Sequence, residues 1–332
     1  MIRVGIIGYG YWGPVVARNF QATDGCQLVA ICDANSRAQE RATKDHPGVQ
    51  VISDASGITR SPHIDVVAVI TPVWTHFELT KAALENGKHV FVEKPFTSSS
   101  SEALELIDLA AAKNLQIMVD HTFLFTGAVR KIRQLIDEGV LGKLYYYDSA
   151  RVNLGLFQHD VNVIWDLAPH DLSIMNHLLD AEPDSVSATG QCHLNGFEDM
   201  AYITVYFSRM LAHINVNWLS PVKVRTTLIG GDKKMVVWND LEADEKVKVY
   251  DKGAAIVNGQ GVRDLLVSYR SGDMWSPKVD QSEALKLEAK YFLECIDKNQ
   301  VPFNDGSAGL RVVRLLEAAA QSLKQRGRPV QL

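Results

Sequence analysis

The chain has 332 residues, of which 46% are hydrophobic, and a net charge of −5 at pH 7. This length favours two domains with proper cores, and the mixed acids and bases offer no basic stripe for nucleic acid and no polybasic patch for a membrane. No stretch approaches the length of a membrane span, and the short apolar N-terminal run is unlike a signal peptide, so we expect a cytoplasmic protein.

The first predicted element is a buried strand that runs into a glycine loop. Residues 2–7 are mostly apolar and β-branched, which is typical of a strand covered on both faces. Gly8, Gly10 and Gly13 follow with the spacing that a pyrophosphate needs, since they allow a tight turn, close backbone approach and close helix packing. Pro14 suits the first turn of the next helix, whose free amides would hold the anion.

An acid closes the second predicted strand, residues 27–33. Asp33 lies twenty residues beyond Gly13 (33 minus 13), where a carboxylate would accept hydrogen bonds from a ribose diol. Together with the glycines, this acid predicts a dinucleotide site. Asp33 would repel a 2′-phosphate and so favours NAD, whereas Arg37 could welcome that phosphate and leaves NADP possible. Arg37 is equally well explained as a solvated helix residue.

A further buried strand, residues 64–70, ends at Thr71 and Pro72, with Trp74 and His76 just beyond. Ligands bind at strand ends in sheets of this kind, so we expect the Thr-Pro step to pass beside the cofactor. The competing interpretation is a turn that merely starts a helix, with His76 on the face of that helix.

The next strand, residues 88–92, ends in Glu93, Lys94 and Pro95. This position puts Lys94 at the carboxyl edge of the sheet, where function concentrates, although a surface lysine is the ordinary alternative. Proline restricts Lys94 to extended backbone and makes the Lys94–Pro95 bond a candidate for the cis form, which costs only about 0.5–1 kcal/mol. A helix to residue 112 and a strand at 116–119 complete a first domain near Asp120.

The rest of the chain predicts a second domain. A helix is expected at 129–136, and the segment 164–179 is helical in pattern after Pro169. A strand is expected between them, at 144–152. Asp166 and His170 would share one face if helical geometry holds across the proline. Six strand-like segments follow without helices and indicate a largely antiparallel sheet: 185–189, 201–207, 212–218, 224–229, 234–238 and 246–250. Residues 251–277 are expected to be irregular, and helices at 282–297 and 307–326 to end the chain.

Five of these motifs together resemble the Gfo/Idh/MocA family of NAD(P)-dependent oxidoreductases. They are the loop GYGYWG, the acid Asp33, the Thr71-Pro72 step, the sequence Glu93-Lys94-Pro95, and Asp166 four residues before His170. The lysine-proline step is the most specific of them, and the resemblance spans essentially the whole chain. The GYWG form of the loop, with HTFLF from His121 and the sequence WDLAPHD, is similar to the branch that oxidises nucleotide sugars in surface-polysaccharide synthesis.

The resemblance implies an α/β protein: an N-terminal Rossmann domain with a doubly wound parallel sheet, residues 1–120, and a C-terminal α+β domain, residues 121–332. The second domain would carry a large, mostly antiparallel open sheet that forms a homodimer or homotetramer. The last helix, residues 307–326, is a candidate to pack back on the first domain. The implied activity is hydride transfer between NAD, or NADP, and a secondary alcohol of a sugar or nucleotide sugar, with a 3-dehydrogenase favoured. Some relatives keep the fold as sugar-responsive regulators without catalysis.

The resemblance, together with the chemistry of hydride transfer, implies that Lys94, Asp166 and His170 are catalytic residues. Lys94 would hold the substrate oxygen, His170 would serve as general acid or base because an imidazole suits that role, and Asp166 would orient one of the two; whether Lys94 or His170 carries the proton stays open. The expected cofactor-binding residues are Gly8, Tyr9, Gly10, Tyr11, Trp12, Gly13, Asp33, Arg37, Thr71, Pro72, Trp74, His76, Glu93, Lys94 and His121. The expected substrate-binding residues are Lys94, His121, Phe123, Arg151, Asn153, Asp166 and His170. The four scattered cysteines indicate neither a metal site nor a disulfide.

Overall fold

A computed structural model describes residues 1–155, 157–194, 196–258 and 265–332. It divides into two compact units: residues 1–125 with 282–314, and residues 126–281 with 315–332. Within these described ranges, no helix is both long enough and apolar enough to cross a membrane.

The first unit begins with alternating strands and helices. In chain order they are β1 (Ile2–Ile7), α1 (Gly13–Gln21), β2 (Cys26–Cys32), α2 (Ser36–Asp45), β3 (Gln50–Ile52), α3 (Ser56–Thr59), β4 (Val66–Val69), α4 (His76–Glu85), β5 (His89–Glu93), α5 (Ser100–Lys113) and β6 (Ile117–Asp120). The remaining elements are α6 (Gly127–Asp137), β7 (Leu144–Leu154), α7 (Val163–Leu178), β8 (Ser185–Gln191), β9 (Met200–Tyr206), β10 (Leu211–Asn217), β11 (Leu219–Gly231), β12 (Met235–Asn239), β13 (Val247–Asn258), β14 (Leu265–Trp275), α8 (Ala284–Asp297), α9 (Gly306–Lys324) and β15 (Val330–Gln331).

The sheet of the first unit has six parallel strands in the order β3-β2-β1-β4-β5-β6. The chain therefore starts in the middle of the sheet and winds outward in both directions, as expected for a Rossmann fold. All four residues of β4 are buried, as the continuous apolar run predicts. The carboxyl ends of β1, β4 and β5 lie side by side, which brings the glycine loop near the segments that follow Ile70 and Val92.

Helix α8 belongs to the first unit although it lies far along the chain. Phe292 on α8 packs on Phe91 of β5 with ring centroids 6.1 Å apart, and Phe91 packs edge-on against Phe20 of α1 at 5.3 Å. Arg18 and Asn19 of α1 both donate hydrogen bonds to Glu283, the residue before α8. These contacts fix α8 beside the helix that follows the glycine loop.

The second unit contains a nine-stranded sheet in the order β14-β13-β12-β11-β7-β10-β9-β8-β15. Strands β7 and β10 pair in parallel, and the other described pairs are antiparallel. The structure thus confirms the predicted mixed α/β class, with a parallel Rossmann sheet and a mostly antiparallel second sheet.

Two local predictions for the second unit need correction. Residues 251–277, expected to be irregular, instead extend β13 and supply β14, which pair from Val249 with Trp275 to Asn258 with Leu265. The glycines suggested loops, but Gly253 and Gly272 lie within the strands. The tip of this hairpin, residues 259–264, lies outside the described residues.

Helix α7 also starts earlier than predicted, at Val163 rather than beyond Pro169. Asn162 caps it by accepting a hydrogen bond from the Trp165 amide at 3.1 Å. Pro169 lies inside the helix, so helical geometry does hold across the proline and places Asp166 and His170 one turn apart.

Candidate active site

The glycine loop after β1 has the backbone geometry that the spacing predicts. Gly8 has a φ of +102°, and a Cβ there would overlap the Ile70 carbonyl oxygen. A Cβ at Gly13 would overlap the Gly8 carbonyl oxygen, so both positions require glycine for close packing. A Cβ at Gly10 would meet no atom within 4 Å. Gly10 therefore leaves open space beside the backbone, as a loop that receives a pyrophosphate needs.

Charged side chains hold this loop from the β2–α2 side. Asp33, directly after β2, accepts a hydrogen bond from the Tyr9 amide at 2.7 Å through Oδ2. Arg41 of α2 donates to the carbonyl oxygens of Tyr9 and Gly10 and lies over the Tyr9 ring, 5.1 Å from its centroid. The Tyr9 side chain is fully buried and donates to Asp45 at 3.0 Å, so only its backbone faces the loop.

A cleft of about 290 Å³ opens between the glycine loop, the end of β2 and the end of β4. Its lining residues include Gly8, Gly10, Asp33, Thr71 and Pro72, five of the predicted cofactor-binding residues. Tyr11 and Trp74 are 87% and 66% exposed, and Arg37 is exposed on α2. The cleft therefore joins the predicted phosphate loop to the acid expected at the ribose.

His76 connects the two strand ends that were predicted beside the cofactor. It is completely buried, with Nε2 2.8 Å from the Thr71 carbonyl oxygen and Nδ1 2.8 Å from that of Pro95. Burial lowers the pKa of His76. The imidazole thus positions the Thr-Pro and Lys-Pro steps relative to each other. The Lys94–Pro95 bond is cis, the form for which the sequence made it a candidate.

Lys94 and His121 lie close enough for their charges to interact. His121 is 1% exposed, and neither ring nitrogen has a hydrogen-bond partner among the described residues. Burial, and then the nearby Lys94 ammonium, lower the pKa of His121 to about 3. His121 is therefore a neutral imidazole at physiological pH, with a donor and an acceptor nitrogen to offer a ligand. Glu93 accepts a hydrogen bond from the Lys94 amide.

Trp12, in the glycine loop, is linked to two buried acids that the sequence did not single out. Its Nε1 donates to Asp120 Oδ2 at 2.8 Å, at the end of β6. Glu288 of α8 is fully buried, and burial together with the Asp120 charge raises its pKa well above the usual range. Burial also raises the pKa of Asp120. The only sequence signal for Glu288 is an acid inside an apolar stripe that includes Leu285, Ala289 and Phe292.

In the second unit, Asp166 and His170 project from α7, and both are half-buried. Asp166 Oδ2 accepts a hydrogen bond from the Trp218 indole at 3.0 Å. This bond fixes the carboxylate orientation one turn before His170. Trp218 was not among the predicted site residues, because only the fold brings β10's end to α7.

Of the predicted substrate-binding residues, Arg151 forms a buried ion pair with Asp171 of α7, at 2.6 Å between Nε and Oδ2. Both side chains are less than 10% exposed. This pair joins β7 to α7 and so supports the helix that carries Asp166 and His170. Asn153 lies near the end of β7 and Phe123 in the turn after β6, both half-buried.

Within the described residues, no group of three or more histidine, cysteine, aspartate or glutamate side chains is arranged to hold a metal ion. The four cysteines are free thiols, and burial raises the pKa of Cys26 to about 12 and that of Cys32 to about 11. Neither thiol is an activated nucleophile.

A doubly wound parallel sheet, a glycine loop open at Gly10 and an acid at the end of β2 define a dinucleotide-binding Rossmann domain. Family models agree with this class: the NAD-binding Rossmann domain of the Gfo/Idh/MocA oxidoreductases matches residues 2–121, and the C-terminal domain of the same family matches residues 129–237. The chain belongs to the Gfo/Idh/MocA family and has an NAD-binding domain.

Known relatives include sugar-modifying enzymes. A UDP-N-acetylglucosamine 3-dehydrogenase of Acidithiobacillus ferrooxidans is 29% identical over 94% of both chains. A scyllo-inositol 2-dehydrogenase (NAD(+)) of Bacillus subtilis is 26% identical over all of this chain and 96% of its own. A solved structure of a UDP-N-acetylglucosamine 3-dehydrogenase from Acidithiobacillus ferrooxidans matches with a TM-score of 0.82 and 26% identity, over 98% of each chain.

Proposed function

We propose that this protein is an NAD-dependent dehydrogenase that oxidises a secondary alcohol of a sugar or nucleotide sugar, with the 3-hydroxyl of a nucleotide sugar as the favoured target. The observation that carries the proposal is Lys94 at the end of β5, beside a neutral, buried His121 and at the same edge of the sheet as the predicted NAD cleft. The similarity to a UDP-N-acetylglucosamine 3-dehydrogenase supports this choice of substrate.

The proposed role of Lys94 is to bind the substrate oxygen. An ammonium group stabilises negative charge that develops on an alkoxide, and it does so most strongly where water is excluded. Neutral His121 would accept or donate a hydrogen bond to a neighbouring hydroxyl without adding a second positive charge.

We assign the proton transfer to Lys94 or His170, which both remain candidates. Oxidation of a carbinol requires that its hydroxyl proton leave while bound NAD accepts the hydride. Asp166, fixed by the Trp218 indole, would orient His170 or hold a neighbouring hydroxyl. The proposal requires Lys94, Asp166 and His170 to act on the same carbinol.

The proposed quaternary state is a homodimer or homotetramer that associates through the nine-stranded sheet. Tyr202, Tyr206 and Leu211 on β9 and β10 are 39%, 36% and 43% exposed and lie on one face, where His213 stacks on Tyr202. Such an apolar, aromatic surface is typical of a protein interface. We also propose that the enzyme acts in the cytoplasm, where nucleotide sugars for polysaccharide synthesis would meet NAD.

A substrate panel tests the proposed activity directly. Purified protein with NAD is mixed with UDP-sugars, dTDP-sugars, free hexoses and inositols, and NADH formation is followed by absorbance. We expect the wild-type protein to form NADH with at least one nucleotide sugar. The Lys94→Met variant should not form NADH at a comparable rate with that substrate. NADH formation with inositols alone would show that the substrate is an inositol and not a nucleotide sugar. NAD binding without NADH formation from any member of the panel would favour the regulatory alternative.

A further inference from the structure

We propose that Asp120 and Glu288 form a carboxyl pair that shares one proton and fixes Trp12, so that both acids are positioning residues for the NAD-binding loop. The inference extends the assignment of the glycine loop to NAD and assigns a role to two buried acids that the proposed chemistry does not use. It rests on hydrogen bonds and burial within the first unit.

Trp12 is the link to the loop. It lies between Gly10 and Gly13, and its carbonyl oxygen accepts the amides of Val15 and Val16 at 2.9 and 3.1 Å, which begins α1. Its indole Nε1 donates to Asp120, 108 residues along the chain. One residue therefore connects the end of β6 to the helix start whose amides would face the pyrophosphate.

Asp120 is built to accept hydrogen bonds. It is 2% exposed, Oδ2 accepts from Trp12 and Oδ1 accepts from the Thr122 hydroxyl. Glu288 lies beside it, because Asn304 Nδ2 bridges Glu288 Oε1 and the carbonyl oxygen of Val119, the residue before Asp120. A buried carboxylate with two donated bonds is the member of the pair that retains the negative charge.

Glu288 is built to hold the proton. It is fully buried, and its Oε1 accepts a hydrogen bond from Asn304 Nδ2 at 3.1 Å. Oε2 has no hydrogen-bond partner among the described residues, and the Thr122 hydroxyl, which also lies near Glu288, donates its proton to Asp120 Oδ1. A proton on Oε2 turns this unmatched acceptor into a donor to Asp120, which satisfies both groups with a single proton.

Neighbouring charge favours the shared proton. Glu93 pairs with Asp120 in the register of β5 and β6, so a third acid lies beside the pair. Two ionised carboxylates in this buried setting would repel each other and Glu93, and protonation of one removes that repulsion. The Asn304 amide is itself fixed by a second bond to the Val119 carbonyl oxygen at 2.8 Å.

The test measures NAD dissociation constants by isothermal titration calorimetry on the full-length protein. We expect Trp12→Phe and Asp120→Leu each to weaken NAD binding about tenfold, since each removes an anchor of the loop. The double variant should be no weaker than the worse single variant, because both changes break one link. Asp199→Asn is the matched control: it changes a buried, hydrogen-bonded acid in the second unit and should leave NAD affinity unchanged.

Two substitutions at Glu288 test the proton. In Glu288→Gln the amide donates to Asp120 while its oxygen accepts from Asn304, so NAD affinity should stay within about twofold of wild type. Glu288→Leu keeps the bulk but removes both bonds and should weaken binding about tenfold. Equal losses for Gln and Leu would show that Glu288 acts as a carboxylate and would overturn the shared proton.

The remaining outcomes are also decisive. Lower melting temperatures with unchanged NAD affinity in all these variants would make the pair merely structural and refute the positioning role. Additive losses in the Trp12 and Asp120 variants would show that they do not act through each other. Wild-type protein that binds no NAD would instead refute the cofactor assignment, which is a separate failure.

Discussion

At the level of single residues, Asp33 is the side chain expected to favour NAD over NADP. Its Oδ2 accepts the Tyr9 amide at 2.7 Å and its Oδ1 the Asn35 amide at 2.8 Å, so backbone bonds fix the carboxylate. Each oxygen keeps a further acceptor position, which suits a ribose diol. The fixed negative charge would repel a 2′-phosphate.

We therefore expect Asp33→Ala to weaken NAD binding more than NADP binding, as measured by calorimetry with both cofactors. The NAD loss combines a missing acceptor with a loosened loop, whereas NADP also gains from the removed repulsion. Asp45→Asn, which changes the acceptor of the Tyr9 hydroxyl, serves as the control. Equal losses for both cofactors would contradict the role of the 2′-hydroxyl.

His121 is expected to stay neutral throughout the physiological range. Its pKa of about 3 lies below the ordinary value of 6.5, because the ring is buried and Lys94 is near. NMR of histidine-labelled protein, with His121→Gln to assign the signal, should show no titration of this ring between about pH 5 and 8. A midpoint near pH 6.5 would contradict the burial.

The same pKa predicts an effect on stability with a definite sign. The unfolded chain binds the His121 proton below about pH 6.5 and the folded chain does not, so the contribution to stability is complete above that pH and declines as pH falls toward 3. Comparison with the His121→Gln variant isolates this contribution from those of other groups.

At the scale of elements, two glycines of the loop have different roles, Gly8 in folding and Gly10 in NAD binding. Gly8 has a positive φ and touches the Ile70 carbonyl, whereas a Cβ on Gly10 would meet only open space. Gly8→Ala should therefore lower the melting temperature. Gly10→Ala should keep the wild-type melting temperature but lose NAD affinity by at least about tenfold, because its methyl group fills the space that the pyrophosphate approaches.

Thermal unfolding and calorimetry on the two alanine variants check this contrast. Destabilisation by Gly10→Ala would show that the open space is occupied by protein. Wild-type NAD affinity in that variant would place the pyrophosphate elsewhere.

Glu288 on helix α8 makes the stability of the protein depend on pH. The pKa of Glu288 is raised in the folded state, so the stability that this group allows is complete below about pH 4.5 and is lost as pH rises through the folded pKa. Gln needs no proton there. We expect the Glu288→Gln variant to gain melting temperature over wild type, with a larger gain at pH 8 than at pH 5.

Melting curves of both proteins at the two pH values provide the measurement. Because other titrating groups are shared, they cancel in the comparison. A gain that is constant with pH would show that Glu288 does not change its protonation between the folded and unfolded states in this range.

The elements that the sequence predicts well are those whose signal is local. The buried strands and the glycine spacing are decided by neighbouring residues, and the structure has them. The extension of β13 beyond Tyr250 and strand β14 escaped prediction because their glycines resemble a loop, while their ladder depends on pairing across many residues. Trp12, Asp120 and Glu288 were not linked in advance, since only the fold brings together residues separated by 108 and 168 positions (120 minus 12; 288 minus 120).

At the scale of the whole molecule, the proposed reaction divides between the two units. The first unit supplies the NAD cleft, Lys94 and His121, and the second supplies Asp166 and His170 on α7. In the proposed mechanism, hydride acceptance and proton removal act on one carbinol.

The most direct test of this account compares NADH formation by wild-type protein with that of Lys94→Met and His170→Asn, using a nucleotide-sugar substrate from the panel. We predict that His170→Asn lowers turnover about 10²–10⁴-fold with nearly unchanged NAD affinity, if His170 is the base. Lys94→Met should lower turnover as much or more, because it also removes stabilisation of the developing alkoxide. Near-normal turnover in both variants, or no NADH from wild-type protein with any sugar, would contradict the proposed dehydrogenase mechanism.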